Sequence, residues 1–83
     1  MPMTDYQFTW YFENEVLRKR PYLTKNMCAW VIENAIRVEP QEENRFRFWA
    51  CVAELGDRAV RVVTLEDKRT IHNAFLDRGF RKP

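Results

Sequence analysis

Residues 45–54 read RFRFWACVAE, and this stretch decides the fold of the chain. Apolar and charged side chains alternate in it with a period of two, the pattern of a β-strand that buries one face. The side chains expected on the buried face are Phe46, Phe48, Ala50 and Val52. Those expected on the opposite face are Arg45, Arg47, Trp49 and Cys51. The stretch therefore predicts a strand between an apolar core and a basic surface.

The same period continues in the strands on either side. IRVEP, residues 36–40, predicts a short strand that ends at Pro40, followed by a polar turn. After residue 52, the LGD turn contains Gly56, which can adopt a positive φ. The next strand, RAVRVVTLE, is expected to place Val60 and Val62 opposite Arg61 and Val63. Short connections between these segments predict antiparallel neighbours.

A last strand is predicted at TIHNAF, residues 70–75. Strict alternation divides its side chains into two sets, with Ile71, Asn73 and Phe75 opposite Thr70, His72 and Ala74. The single histidine of the chain is therefore expected on the same side of the sheet as the arginines.

Two helices are predicted before the strands. TWYFENEVLRKR, residues 9–20, predicts the first helix, and Pro21 ends it because proline disfavours helical geometry in the residue before it. The second helix is expected to begin after Thr24, which serves as its N-cap. Its apolar stripe, spaced for packing on a core, consists of Met27, Cys28, Val31, Ile32 and Ala35.

Together these elements predict a single α+β domain, residues 1–83, with two N-terminal helices on one face of an antiparallel meander of about four strands. The YQF segment at 6–8 is compatible with extended chain paired to a sheet edge. The apolar face that meets the second helix is expected to consist of Phe46, Phe48, Val60, Val62, Ile71 and Phe75. The opposite face is expected to carry Arg45, Arg47, Trp49, Arg61 and His72.

Composition argues against several classes of protein. The chain has 83 residues, a net charge of +2, two cysteines and one histidine. Their spacing does not make a zinc site, so no metal or cofactor is expected. No apolar run is long enough to span a bilayer, and the first residues lack the pattern of a secretion signal. We therefore expect a cytoplasmic protein with no membrane contact and with Cys28 and Cys51 reduced.

The basic face contains groups that could bind and cleave RNA without a metal ion. Guanidinium groups match phosphate oxygens two at a time, Trp49 could stack on an unpaired base, and the imidazole of His72 can exchange a proton near neutral pH. In such a reaction a base removes the 2′-hydroxyl proton, arginines hold the phosphate, and an acid protonates the leaving oxygen. Further cations that could contact RNA are Lys68, in a turn, and Arg81, in the basic C-terminal segment.

The chain also resembles a known family. Its opening, FTWYFENEVLRKRPYLTKNMCAWVIENAIRVEP, is similar to the start of the small RelE/BrnT-like toxins of bacterial toxin–antitoxin pairs, and RVVTLEDKRTIHNAF resembles their last two strands. The resemblance, over roughly residues 8–80, implies an endoribonuclease that cleaves messenger RNA and is neutralised by an antitoxin bound across the sheet and helices. It also implies that Arg47 and Arg61 hold phosphate, that His72 transfers a proton, and that Arg78 assists.

Other functions are compatible with the same residues. One is a small binding module without chemistry, in which Trp49 and neighbouring aromatic side chains dock a protein partner. Another is an RNA-binding protein that does not cut, whose affinity falls steeply with salt because phosphate contacts release counterions. The arginines also suit an ordinary solvated sheet face, with Asp77 and Arg78 as a local ion pair. A homodimer through an exposed edge strand or an aromatic patch is compatible with the pattern as well.

Overall fold

The computed structural model describes residues 6–80 of the chain. Within this range the strands are β1 (Gln7–Phe8), β2 (Arg37–Gln41), β3 (Arg45–Val52), β4 (Arg58–Thr64) and β5 (Thr70–Leu76). The helices are α1 (residues 10–19) and α2 (Lys25–Glu33), and a short 3₁₀ turn, Ala53–Leu55, joins β3 to β4. None of the helices described is long and apolar enough to cross a membrane.

The five strands form one sheet in the order β1-β5-β4-β3-β2. Strands β2 to β5 are antiparallel neighbours, whereas β1 pairs in parallel with β5. The α+β class and the antiparallel meander are therefore confirmed, but the expected four strands are five. The additional strand forms because the backbone N–H groups of Gln7 and Thr9 donate to the carbonyl groups of Arg69 and Ile71.

Helix α2 begins as its sequence predicts. The side chain of Thr24 accepts a hydrogen bond of 3.0 Å from the N–H of Met27, which satisfies a free donor of the first turn. Cys28 and Val31 are fully buried against β3 and β4, so the helix covers the apolar face of the sheet. Burial raises the pKa of the Cys28 thiol to about 12, and Cys28 therefore behaves as a small apolar core residue.

Helix α1 lies along β5 and begins at Thr9, whose side-chain oxygen accepts a hydrogen bond of 3.1 Å from the N–H of Phe12. Its middle, Phe12–Val16, is π-helical, with the N–H of Leu17 bonded to the carbonyl of Phe12. Phe12 and Val16 are fully buried in the same core as α2. The helix thus completes the core beside β5.

The predicted core face of the central strands is confirmed. Its fully or largely buried residues include Phe48, Ala50, Val52, Val60, Val62 and Ile71, with Phe46 packed at the margin. The last strand departs from the prediction after Ile71. Ala74 lies in the core, whereas Phe75 is on the outer face beside Arg61.

A β-bulge explains this departure. Thr64 pairs with Ile71, but the preceding residue, Val63, pairs with Asn73, so His72 is an extra residue in β5. His72 and Asn73 therefore lie together opposite Val63, and the alternation of faces shifts by one residue beyond them. The expectations that Asn73 and Phe75 share the core face with Ile71, and that Ala74 shares a face with His72, were wrong for this reason.

Candidate functional site

The candidate site lies on the outer face, the face of the sheet opposite the helices. Cross-strand pairing aligns one residue from each of β2, β3, β4 and β5 on it, and we call this set the Trp49 row: Arg37, Trp49, Arg61 and Phe75. Cations and aromatic rings alternate along the row. The guanidinium carbon of Arg61 lies 5.3 Å from the centroid of Trp49 and 4.9 Å from that of Phe75. These distances are typical of cation–π contacts.

Trp49 is the centre of this arrangement. The guanidinium carbons of Arg37 and Arg47 each lie 5.5 Å from its ring centroid, so that three cations surround one indole. The ring of Phe80 stacks on it with 5.4 Å between centroids and an interplanar angle of 16°. As a result Trp49 is only 4% exposed, although it lies on the face that no helix covers.

Asp77 connects the Trp49 row to the turn that follows β5. Its Oδ2 accepts hydrogen bonds from Trp49 Nε1 at 2.8 Å and from two nitrogens of Arg61 at 2.8 and 3.1 Å. Its Oδ1 accepts a hydrogen bond from the backbone N–H of Gly79. The bond from Trp49 and then the charge and bonds of Arg61 lower the pKa of Asp77, against the opposing effect of burial. Asp77 is therefore ionised at neutral pH.

Glu39 is the second carboxylate of the outer face. It pairs with Arg37 at 2.6 Å and with Arg47 at 3.1 Å. The Nε of Arg47 is buried and has no hydrogen-bond partner among the described residues. Three cations thus converge on Trp49 with only two carboxylates between them, and one guanidinium donor is unused.

His72 lies towards the β1 side of the same face. Its Nδ1 is 3.0 Å from Oγ1 of Thr9, and its ring centroid is 5.1 Å from that of Tyr11. Burial lowers the pKa of His72, and the positive charge of Arg45 lowers it further. The imidazole is consequently neutral at pH 7 while half-exposed, so it can accept a proton from a bound molecule.

The structure brings together some of the residues predicted for the site and separates others. Arg47, Trp49 and Arg61 are in contact, and Arg45 influences His72. The nearest described partners of the His72 ring, however, belong to β1 and α1 rather than to the arginines of the Trp49 row.

The remaining predicted residues lie elsewhere. Lys68 sits 4.6 Å from the ring of Phe46, whose side chain faces the core, so Lys68 is not part of the outer face. Arg78 is exposed in the turn after β5. Arg81 lies outside the described residues.

Sequence reasoning missed the residues that hold the site together. These are Thr9, Arg37, Glu39, Asp77 and Phe80. Asp77 is separated from Trp49 by 28 residues, and its partner is Arg61 rather than the adjacent Arg78. The only sequence feature that points to this role is an aspartate directly after a strand, followed two residues later by glycine.

The arrangement has two chemical capacities. The Trp49 row and the neighbouring Arg47 together carry three cations against two carboxylates beside aromatic rings, and can bind a planar anionic group. His72 can transfer a proton. Among the described residues, no three His, Cys, Asp or Glu side chains lie close enough to hold a metal ion.

Comparison of the chain with protein-family models, with curated proteins and with solved structures gave no match in any of the three. The resemblance to RelE/BrnT-like toxins therefore stays a prediction.

Proposed function

We propose that the protein is a metal-independent endoribonuclease that acts on messenger RNA and is neutralised by a cognate antitoxin. The observation that carries the proposal is the position of His72, half-exposed on the basic face of the sheet with its Nδ1 3.0 Å from Oγ1 of Thr9, where burial and the charge of Arg45 lower its pKa. A neutral imidazole beside a cation is suited to a substrate that presents both a hydroxyl proton and a phosphate.

In the proposed reaction His72 accepts the proton of a ribose 2′-hydroxyl. The 2′-oxygen then attacks the adjacent phosphorus, a new P–O bond forms, and the bond from phosphorus to the 5′-oxygen breaks. A proton returns to that leaving oxygen from the imidazolium or from solvent. The products are a 2′,3′-cyclic phosphate and a 5′-hydroxyl end, with no change in oxidation state.

Arg45 is the arginine best suited to hold the reacting phosphate. Its side chain is 30% exposed, and its ion pair with Glu43 is long, at 3.8 Å. Breaking this ion pair to bind an anion therefore costs little free energy. Arg47 and Arg61 are already paired with Glu39 and Asp77. In this proposal they bind neighbouring phosphates of the RNA, and not the phosphate at the bond that is cleaved.

Induced expression of the protein tests the proposal in cells. The unmodified protein is expected to arrest growth and deplete messenger RNA, and His72→Gln and Arg45→Gln are each expected to relieve both effects. Arg58→Gln is the matched control, because Arg58 lies at the start of β4, five residues along the strand from Val63, which is the residue beside His72. Growth arrest with intact transcripts, or arrest by the His72 variant at the same protein level, would contradict the proposal.

A second function, a binding module without chemistry, is favoured by a different observation. Trp10 is 69% exposed at the start of α1, and exposed large aromatic side chains are frequent in protein interfaces. In this case the product of a neighbouring short open reading frame is expected to co-purify with the protein. Trp10→Ala would weaken that complex, whereas His72→Gln would leave it intact and no RNA would be cut.

A further inference from the structure

The stack between Trp49 and Phe80 is unusual because of where its second ring comes from. Phe80 belongs to neither a strand nor a helix but to the turn at residues 77–80. Its backbone N–H bonds to the carbonyl of Asp77, and its ring covers an indole that would otherwise be open on the outer face. Trp49 is thus covered on the outer face by this turn together with the surrounding arginines, and not by a helix.

The surroundings of this stack suit a phosphorylated ligand better than they suit a phenyl ring. Three guanidinium groups lie within 5.3–5.5 Å of the Trp49 centroid, and Arg37 is also 5.8 Å from the centroid of Phe80. Only two carboxylates accompany them, and a buried guanidinium nitrogen of Arg47 has no hydrogen-bond partner within the described chain. The phenyl ring meets this charge only through its contact with Arg37, whereas a nucleotide would present a π-face to Trp49 and phosphate oxygens to the arginines.

Space for such a ligand exists beside the stack. A shallow depression of about 410 Å³ lies over the outer face and is lined by residues of the Trp49 row, by Glu39 and by the turn after β5, including Gly79 and Phe80. Pockets of this volume are large enough for a small organic ligand.

We propose that Trp49 is the stacking site for one base of single-stranded RNA and that Phe80 occupies this site in the free protein. This inference rests on the proposed RNA substrate. It states where the protein binds the RNA strand outside the His72 centre. On binding, the base replaces Phe80 on the indole, and the flanking phosphates meet Arg37 and Arg47. Asp77 keeps its bonds to Trp49 and Arg61, so the row itself need not change.

Binding of a fluorescently labelled 2′-O-methyl oligoribonucleotide tests this proposal. Such an oligonucleotide lacks the free 2′-hydroxyl and cannot be cleaved, so the result does not depend on catalysis. Phe80→Ala removes the competing ring and is expected to tighten binding about three- to tenfold, the strength of one aromatic pair. Trp30→Ala is the matched control, because it removes an exposed aromatic ring from α2, on the opposite side of the sheet, and is expected to leave affinity unchanged.

A second readout keeps Phe80 in place. In a protein with Trp10→Phe and Trp30→Phe, all tryptophan fluorescence comes from Trp49, and the oligonucleotide is expected to quench it to saturation. Unchanged or weaker binding by a folded Phe80→Ala protein, or no quenching at a concentration that saturates anisotropy, would overturn the inference. If the oligonucleotide binds as expected but RNA is never cut, the stacking site stands and the nuclease proposal fails. If RNA is cut but Trp49 is not quenched, the nuclease proposal stands and the stacking site fails.

Discussion

The indole N–H of Trp49 donates a 2.8 Å hydrogen bond to the carboxylate of Asp77, which also holds Arg61. This contact joins the middle of β3 to the residue directly after β5 and crosses β4 between them. One carboxylate thereby fixes an aromatic ring and a guanidinium group on an otherwise uncovered sheet face. The side chains of the outer face are accordingly held in place by contacts with one another and are not solvated independently.

Replacing Asp77 by asparagine is expected to destabilise the protein by about 2 kcal/mol. The change removes the negative charge that Arg61 faces and leaves donors of Trp49 and Arg61 competing for one amide oxygen, and hydrogen bonds to charged groups are each worth roughly 1.5–3 kcal/mol. Urea unfolding followed by circular dichroism measures the loss. Glu42→Gln, in the exposed turn before β3, is the control and is expected to change stability by less than about 0.5 kcal/mol.

The Asp77 contribution is also expected to depend on pH. The folded protein lowers the pKa of Asp77 below the ordinary value of about 3.9, so the stabilisation is fully present above about pH 5 and is lost as the pH falls through the folded value. The stability difference between the unmodified protein and Asp77→Asn should therefore shrink as the pH falls below about 4. A difference that is constant down to pH 2 would mean that the charge of Asp77 does not stabilise the fold.

Thr9→Val is expected to cost about 1–2 kcal/mol of unfolding free energy. The hydroxyl of Thr9 caps α1 through the N–H of Phe12 and also contacts Nδ1 of His72, and valine keeps the shape while removing both bonds. Thr9→Ser keeps the hydroxyl and should lose much less. Equal losses in the two variants would indicate that packing of the methyl group, and not the hydroxyl, is what matters.

The structure shows why sequence reasoning succeeded in β3 and β4 and failed in part of β5. In β3, every second side chain is apolar, so one register alone buries all of them, and the faces could be assigned from parity. In β5, the bulge at His72 adds one residue, and no residue type at that position predicts a bulge. Parity therefore misplaced Ala74 and Phe75 but still placed His72 on the correct face.

Prediction from the sequence was also incomplete for β1 and for the candidate site. A two-residue parallel strand has no periodicity to detect, although the extended chain at Gln7 and Phe8 was compatible with the sequence. Arg47 and Arg61, two of the three cations around Trp49, followed from strand parity, whereas Arg37 was not predicted for the site. Asp77 and Phe80 did not follow from parity, because their positions depend on how the chain turns after β5 and on contacts to residues about thirty positions earlier.

The pKa of His72 is expected to lie below 6.5. Burial disfavours the charged imidazolium first, and Arg45 disfavours it further, so the neutral form persists to a lower pH than in the unfolded chain. Because this is the only histidine, its ring resonances can be followed by NMR during a pH titration without assignment of others. Arg45→Gln is expected to raise the pKa of His72, and Arg58→Gln to leave it unchanged. A pKa above 6.5 in the unmodified protein would contradict this environment of His72.

Analysis of RNA ends after incubation with the purified protein, with and without translating ribosomes, tests the central claim most directly. The unmodified protein is expected to produce 2′,3′-cyclic phosphate and 5′-hydroxyl ends in at least one condition, and a single 2′-deoxy substitution before the scissile bond is expected to abolish cleavage there. His72→Gln should reduce the rate by about a hundredfold or more, the usual contribution of a proton-transfer group. Intact RNA in both conditions, or cleavage by the His72 variant at the unmodified rate, would contradict the assignment of this face as a ribonuclease centre.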